Sequence, residues 1–152
     1  MNYHHTQRAP IHWILHFFAA YFIWFAWVLR DRTVLLAIMS CGGAAFVFLA
    51  FAFRHLTVSD DGDALGVRFG PLPVFGTRIP YNTITAVEGG RSSLIDGWGI
   101  HYVPGRGWIY NVWGFDCVCV HYDNRLLRIG SDDSANLVMF LRGKISNMSA
   151  CE

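Results

Sequence analysis

Two long uncharged runs lie almost back to back near the start of this chain, and they decide what it can fold into. Residues 13 to 29 are seventeen positions without a formal charge, and residues 34 to 53 are twenty more. Both lengths reach the roughly 17 to 25 residues that a helix needs to cross a bilayer. Only Arg30-Asp31-Arg32-Thr33 separates them, which leaves room for a tight helical hairpin and nothing larger. Both ends of such a hairpin lie on one side of the membrane. Residues 1 to 12 hold one arginine and no lysine, and no small-x-small cleavage site precedes a mature domain. The pattern is that of two spanning helices rather than of a cleaved signal peptide. Arg8, Arg54 and Arg68 flank the side of the termini, against Arg30 and Arg32 in the hairpin, which leans towards both termini in the cytoplasm.

The rest of the chain has a different texture. Beyond Arg54 the apolar residues come in short alternating groups broken by glycine, proline and aspartate. Strands are expected over residues 56 to 59, 65 to 69, 74 to 79, 84 to 88, 98 to 103, 108 to 112, 117 to 122 and 125 to 129, with turns at Asp60-Asp61-Gly62-Asp63, Pro104-Gly105 and Asp123-Asn124 between them. Short strands at that spacing suggest a small barrel or sandwich of about seven strands. Ser131, Asp132 and Asp133 then offer N-cap chemistry, and Leu137, Val138, Leu141 and Ile145 recur at helical spacing. The chain thus reads as an α+β membrane protein in three parts. Residues 1 to 12 form an N-terminal segment, 13 to 55 the hairpin, and 56 to 152 a β domain capped by an amphipathic helix.

The motifs within this frame resemble those of the bacterial pleckstrin-homology-like membrane proteins. The resemblance is carried by "VRFGP" at 67 to 71, "RIPYNTITAVE" at 78 to 88, "GWGIHY" at 97 to 102, "YNVWG" at 110 to 114 and "LLRIGSDD" at 126 to 133. It implies a fold and a membrane-tethered topology rather than an activity, because folds of this kind bind lipid headgroups, peptides or proteins. The phosphoinositide-binding members carry lysines and arginines in their first hairpin turn. Here that turn is Asp60-Asp61-Gly62-Asp63, which repels phosphate.

Few residue patterns point to chemistry. A net charge of +1 provides no basic field for nucleic acid. The glycines of GWGIHYVPGRGWIYNVWG, residues 97 to 114, lack the dinucleotide-loop spacing. At period two, Trp98, Ile100 and Tyr102 share one face, as do Trp108, Tyr110 and Val112, which describes a hairpin with rings paired across strands. Cys117, Cys119 and His121 alternate onto one strand face, but the first and last lie ~13 Å apart at about 3.3 Å per residue, too far for one tetrahedral ion. Core thiols are the better reading, and with Cys41 and Cys151 they form no disulfide framework. The aspartates of the first turn lack EF-hand spacing, and Ser92 and Ser93 lack a nucleophile signature. No enzyme is expected.

The hairpin carries the remaining candidates. His12 and His16 share a helix face, and His55 falls at the same interface because the hairpin reverses direction. No cofactor is expected, and these three histidines are the alternative, as ligands of a haem or chlorin metal. Trp13, Phe17, Tyr21, Trp24 and Trp27 are candidates for contact with lipid or a partner, since several lie too deep for an interfacial belt. Gly42 and Gly43 lie in a run of small residues that permits close helix approach. Leu72 and Phe75 lie in a proline-stiffened apolar loop, residues 70 to 76, which could dip into the bilayer or touch a partner. The expected function is a non-catalytic accessory or assembly subunit of a larger photosynthetic or respiratory membrane complex in the bacterial inner membrane, with self-association as another use of the helices. The alternative is a free-standing, membrane-tethered module that recognises a peptide or lipid.

Overall fold

The computed structural model describes residues 2–72, 74–92 and 97–149; Ser93 and Cys151, named above, and Pro73 of the 70 to 76 loop lie outside the described residues. Helices α1 (Ile11–Val28) and α2 (Thr33–Ala52) take 18 and 20 residues, or ~27 and ~30 Å at 1.5 Å per residue. Both are long and apolar enough to cross a membrane. Only 11% of either span is buried within the chain, unlike the mostly buried core helix of a soluble protein. The hairpin closes through Arg32 N–H donating to the Leu29 carbonyl at 2.9 Å.

The two helices meet through small residues. A Cβ on Gly43 would lie 3.0 Å from the Ile23 side chain and 3.7 Å from the Ala19 carbonyl oxygen, and one on Gly42 would enter the Phe22 ring. Ala19, Ala26 and Ala50 are buried along the same seam, and Phe46 lies against Phe18 and Phe22 at 5.5 and 5.3 Å. The small-residue run therefore serves contact between the two helices of this chain, which is how close approach is commonly achieved in lipid.

Nine strands follow from the described residues: β1 (His4–Arg8), β2 (His55–Asp60), β3 (Ala64–Gly70), β4 (Gly76–Pro80), β5 (Ile84–Arg91), β6 (Gly99–Val103), β7 (Gly107–Asn111), β8 (Asp116–Tyr122) and β9 (Arg125–Gly130). They form two separate sheets, ordered β1-β2-β3-β4 and β5-β8-β9-β7-β6. The barrel or sandwich is not closed, and the strand count exceeds the seven expected from spacing. One cause is β1, which arises from the segment before the first helix. A helical hairpin brings the residues before α1 beside those after α2, and they pair, with Arg8 opposite His55 and Gln7 opposite Leu56. In the second sheet a parallel pairing of β7 with β9 (Trp108 opposite Leu127) puts the β6-β7 hairpin at the edge.

The core lies between the sheets and helix α3 (Ser134–Ser149). Leu56, Val67, Phe69 and Ile79 face Val118, Val120, Leu127 and Ile129, and Leu137 and Leu141 of α3 close over them. The turn before α3 is held by the Asp133 N–H donating to Ser131 Oγ at 3.1 Å. Strand β1 is tied to this turn by the Tyr3 hydroxyl donating to Asp133 at 3.1 Å and by His5 Nε2 at 2.5 Å from Asp132.

Candidate functional site at the helix and sheet junction

The chain changes between apolar helix and sheet within two residues on each leg of the hairpin. Arg8 ends β1, Pro10 precedes α1, and after α2 come Phe53, Arg54 and then His55, the first residue of β2. The Ala9 N–H donates to the Arg54 carbonyl at 3.4 Å, which continues the β1-β2 pairing up to the helices. Arg8 and Arg54 are both exposed. Burial, together with the charges of Arg54 and Arg8, pushes the His55 imidazole below its usual range.

An apolar cavity of about 290 Å³ lies at the base of the two helices. Ile11 and Leu15 of α1, Leu49 of α2 and Phe53 just past it form one wall, and Trp98, Ile100 and Val112 form the other. Trp98 is held in place by stacking on Trp113, with ring centres 4.6 Å apart. Phe53 stacks on Phe75 at 5.4 Å and meets Phe69 edge-on at 5.2 Å. The loop of residues 70 to 76 thus sends Phe75 inward against the helix base, while Leu72 and Val74 remain 38% and 58% exposed.

The candidate histidines separate into a pair and a single residue. His12 and His16 are ring neighbours at 6.0 Å. Each uses Nδ1 to donate to a carbonyl at 2.6 Å, His12 to Ala9 and His16 to His12. His55 lies in β2 opposite Gly70 and Arg8. Among the described residues no group of three or more His, Cys, Asp or Glu is placed to hold a metal ion.

Trp13, Phe17, Tyr21, Trp24 and Trp27 are 69%, 70%, 48%, 55% and 64% exposed. Their spacings of four, four, three and three residues place them on one stripe of α1, facing away from α2. Sequence reading marked these residues but missed the junction. Arg8 and Arg54 register there only as topology signals and Trp98 only as a hairpin ring, because lining from elements far apart in sequence leaves no local pattern.

The acidic first turn is occupied by its own chain. Asp61 pairs with Arg68 and accepts from Ser59 Oγ, Asp63 pairs with Arg78, and Asp60 pairs with Lys144. On β8, Val118 and Val120 point into the core, so Cys117, Cys119 and His121 take the opposite face. The expectation of core thiols holds for Cys117, which is buried, and is corrected for Cys119, which is only half-buried. Gly90 makes room for both sulfurs, since a Cβ there would lie 3.2 Å from Cys119 Sγ and 3.5 Å from Cys117 Sγ. A hydrogen bond from Cys117, opposed by burial and assisted by the Arg128 charge, brings the Cys119 thiol down to about 6. Alkylation of Cys119 by iodoacetamide, followed by mass spectrometry, is expected to rise with a midpoint near that pH, well under the roughly 8.5 of a free thiol. Cys117→Ala should move the midpoint up; an unmoved midpoint would show that the neighbouring thiol is not the cause.

No protein-family model, curated protein or solved structure matches this chain.

Proposed function

We propose that the chain is a non-catalytic accessory or assembly subunit of a larger integral membrane complex. Its α1 stripe docks against the partner within the bilayer, and its pleckstrin-homology-like β domain clamps the partner's surface on the cytoplasmic side of the bacterial inner membrane. The stripe itself carries this reading. Phe17, Tyr21 and Trp24 lie in the middle turns of α1 and are 70%, 48% and 55% exposed, whereas aromatic belts gather at the two interfaces of a bilayer. Lipid tails offer no preference for rings at that depth. A facing helix does, because packing is what holds helices together in lipid. Extraction in a mild detergent, followed by native electrophoresis, should show the chain migrating far above 17.2 kDa with other proteins. The triple substitution Phe17→Ala, Tyr21→Ala, Trp24→Ala should reduce that co-migrating fraction about tenfold while leaving the chain in the membrane. Migration of the wild type at its own mass would overturn the proposal.

A second reading, a membrane-tethered module for a peptide, is supported by a different feature. Asn2, Tyr3, Met139, Phe140 and Lys144 line a groove of about 490 Å³ between the N-terminal strand and α3. Strand β1 is the edge of its sheet, and an extended peptide adds naturally to such an edge.

A further inference from the structure

We propose that one end of the β domain rests in the headgroup layer of the bilayer, entered by the stacked Trp98 and Trp113 rings and by Leu72 and Val74 of the loop after β3. This placement rests on the reading that α1 and α2 span the bilayer. Strand register carries it. Strand β2 starts at His55, just past α2, and His55 is opposite both Arg8 and Gly70. The loop from β3 to β4 therefore begins at the end of the first sheet nearest the helices. In the second sheet the cavity marks the same end, since Trp98, Gly99 and Val112 share it with Leu15 and Leu49. Those two leucines lie one turn inside α1 and α2. Trp98 thus stands at the depth where a spanning helix leaves the hydrocarbon.

The connections at the two ends of the strands differ in chemistry. Beside the helices, Leu72 and Val74 are 38% and 58% exposed, and Trp98, Trp113 and Phe115 are 38%, 38% and 39% exposed. At the far end of the first sheet is the acidic turn Asp60-Asp61-Gly62-Asp63, because Asp60 is opposite Leu65. Strand β9 runs parallel to β7, which ends at Asn111 opposite Gly99, so the Asp123-Asn124 turn before β9 also lies away from the helices. Apolar loops at one end and acidic turns at the other match a boundary between lipid and water. Tryptophan, an apolar body with a polar N–H, settles at that boundary, and exposed apolar groups gathered in one place mark a surface that is covered. Lipid is the cover that the neighbouring helices already bring to this depth. At the outer edge of the second sheet the same strand ends are charged, with Arg91 3.5 Å from Asp116, which confines the contact to the side next to the helices.

The test is hydroxyl-radical footprinting of the purified full chain in nanodiscs of phosphatidylcholine and phosphatidylglycerol, read residue by residue by mass spectrometry. Trp108 is the internal standard. Its ring has the same chemistry and a similar exposure within the chain, 44%. It pairs with Tyr102, four residues past Trp98, and so lies ~13 Å further along the strands at about 3.3 Å per residue. Trp98 and Trp113 are expected to be oxidised roughly fivefold more slowly than Trp108, because rings settled among headgroups are shielded from radicals in water. The ring introduced by Val74→Trp, at an exposed position, should be oxidised as slowly as Trp98; circular dichroism confirms that this variant is folded. Trp24, in the middle turns of α1, separates the result from the underlying reading. A protected Trp24 with Trp98 and Trp113 oxidised as fast as Trp108 overturns the lipid contact alone, whereas a Trp24 oxidised as fast as Trp108 rejects the spanning helices. Protection of Trp98 and Trp113 that is present in native membranes and absent from the nanodiscs also overturns the lipid contact, and assigns the surface to a protein partner.

Discussion

Replacing Gly107 with alanine is expected to lower the melting temperature of the β domain by at least about 12–24 °C, whereas the same change at Gly105 costs about 4–16 °C. Both glycines have φ of +77°. Each therefore incurs the left-handed penalty of a side chain, about 1–2 kcal/mol. Their surroundings differ completely. A Cβ on Gly105 meets nothing within 4 Å, while one on Gly107 would lie 2.2 Å from the Leu126 carbonyl oxygen and 2.9 Å from the carbonyl carbon. The obstacle is backbone, so no rotamer change relieves it. Strand β7 would have to leave β9, and the parallel pairs Trp108 with Leu127 and Tyr110 with Ile129 would be lost together. A combined cost of at least ~3 kcal/mol follows, and each kcal/mol is worth about 4–8 °C in a domain of roughly a hundred residues. Near-UV circular dichroism of the detergent-solubilised chain reads the change directly through the tryptophans of this hairpin. Equal losses at the two positions would show that the contact with β9 is not the cause.

The comparison also shows which parts of this protein are legible from sequence. Both long apolar helices are visible because each is an unbroken uncharged run of helical length, closed off by the charged Arg30-Asp31-Arg32 turn. The strands of the second sheet fall close to their expected places, since Val118, Val120, Leu127 and Ile129 mark the core face at period two. The rings of the β6-β7 hairpin also pair as their alternation implies, with Tyr102 and Trp108 at 5.7 Å. Strand β1 has no such marks. His4-His5-Thr6-Gln7-Arg8 is polar throughout, and it becomes a strand only because the helical hairpin delivers it beside β2. Gln7 is then 5% exposed and donates to the Trp113 carbonyl at 2.9 Å, a contact between residues more than a hundred positions apart. The junction is hidden for the same reason. Its cavity draws on both helices and the β6-β7 hairpin, and nothing local in any one of them announces the others.

Lys144→Met is expected to cost about 3–5 kcal/mol at neutral pH, and its cost should shrink as the solution is acidified. The Asp60 side chain is 2% exposed, and Lys144 Nζ lies 2.7 Å from its Oδ2, placed for charge contact rather than aligned for a directional hydrogen bond. Oδ1 accepts from the Tyr81 hydroxyl at 2.9 Å and from the Gly62 N–H at 3.0 Å. Burial pushes this carboxyl up, but Lys144, Tyr81 and Gly62 outweigh it and hold it below the usual carboxylate range. A carboxyl whose folded pKa is depressed stabilises the fold above its unfolded value near 3.9, and that contribution disappears as pH falls through the folded value. Without the ammonium the first-ranked of its lowering partners is gone, so the carboxyl moves up from its wild-type position and the variant gives up less stability on acidification than the wild type does. Wild type and variant should therefore converge in stability as pH falls from about 7 to below the unfolded value near 3.9. Methionine keeps the apolar stem that now carries the ammonium over the rings of Tyr81 and Phe140 at 5.2 and 5.5 Å, so lost packing contributes little. Asp60→Asn should cost far less than Lys144→Met, because the Lys144 side chain is 28% exposed and its charge can turn to water. Combining the two substitutions should recover most of the loss, since no buried charge is then left alone. Denaturant midpoints of the four proteins across that pH range decide the matter; a gap between wild type and Lys144→Met that stays constant with pH would place the cost in packing of α3 on β2 rather than in the isolated carboxylate.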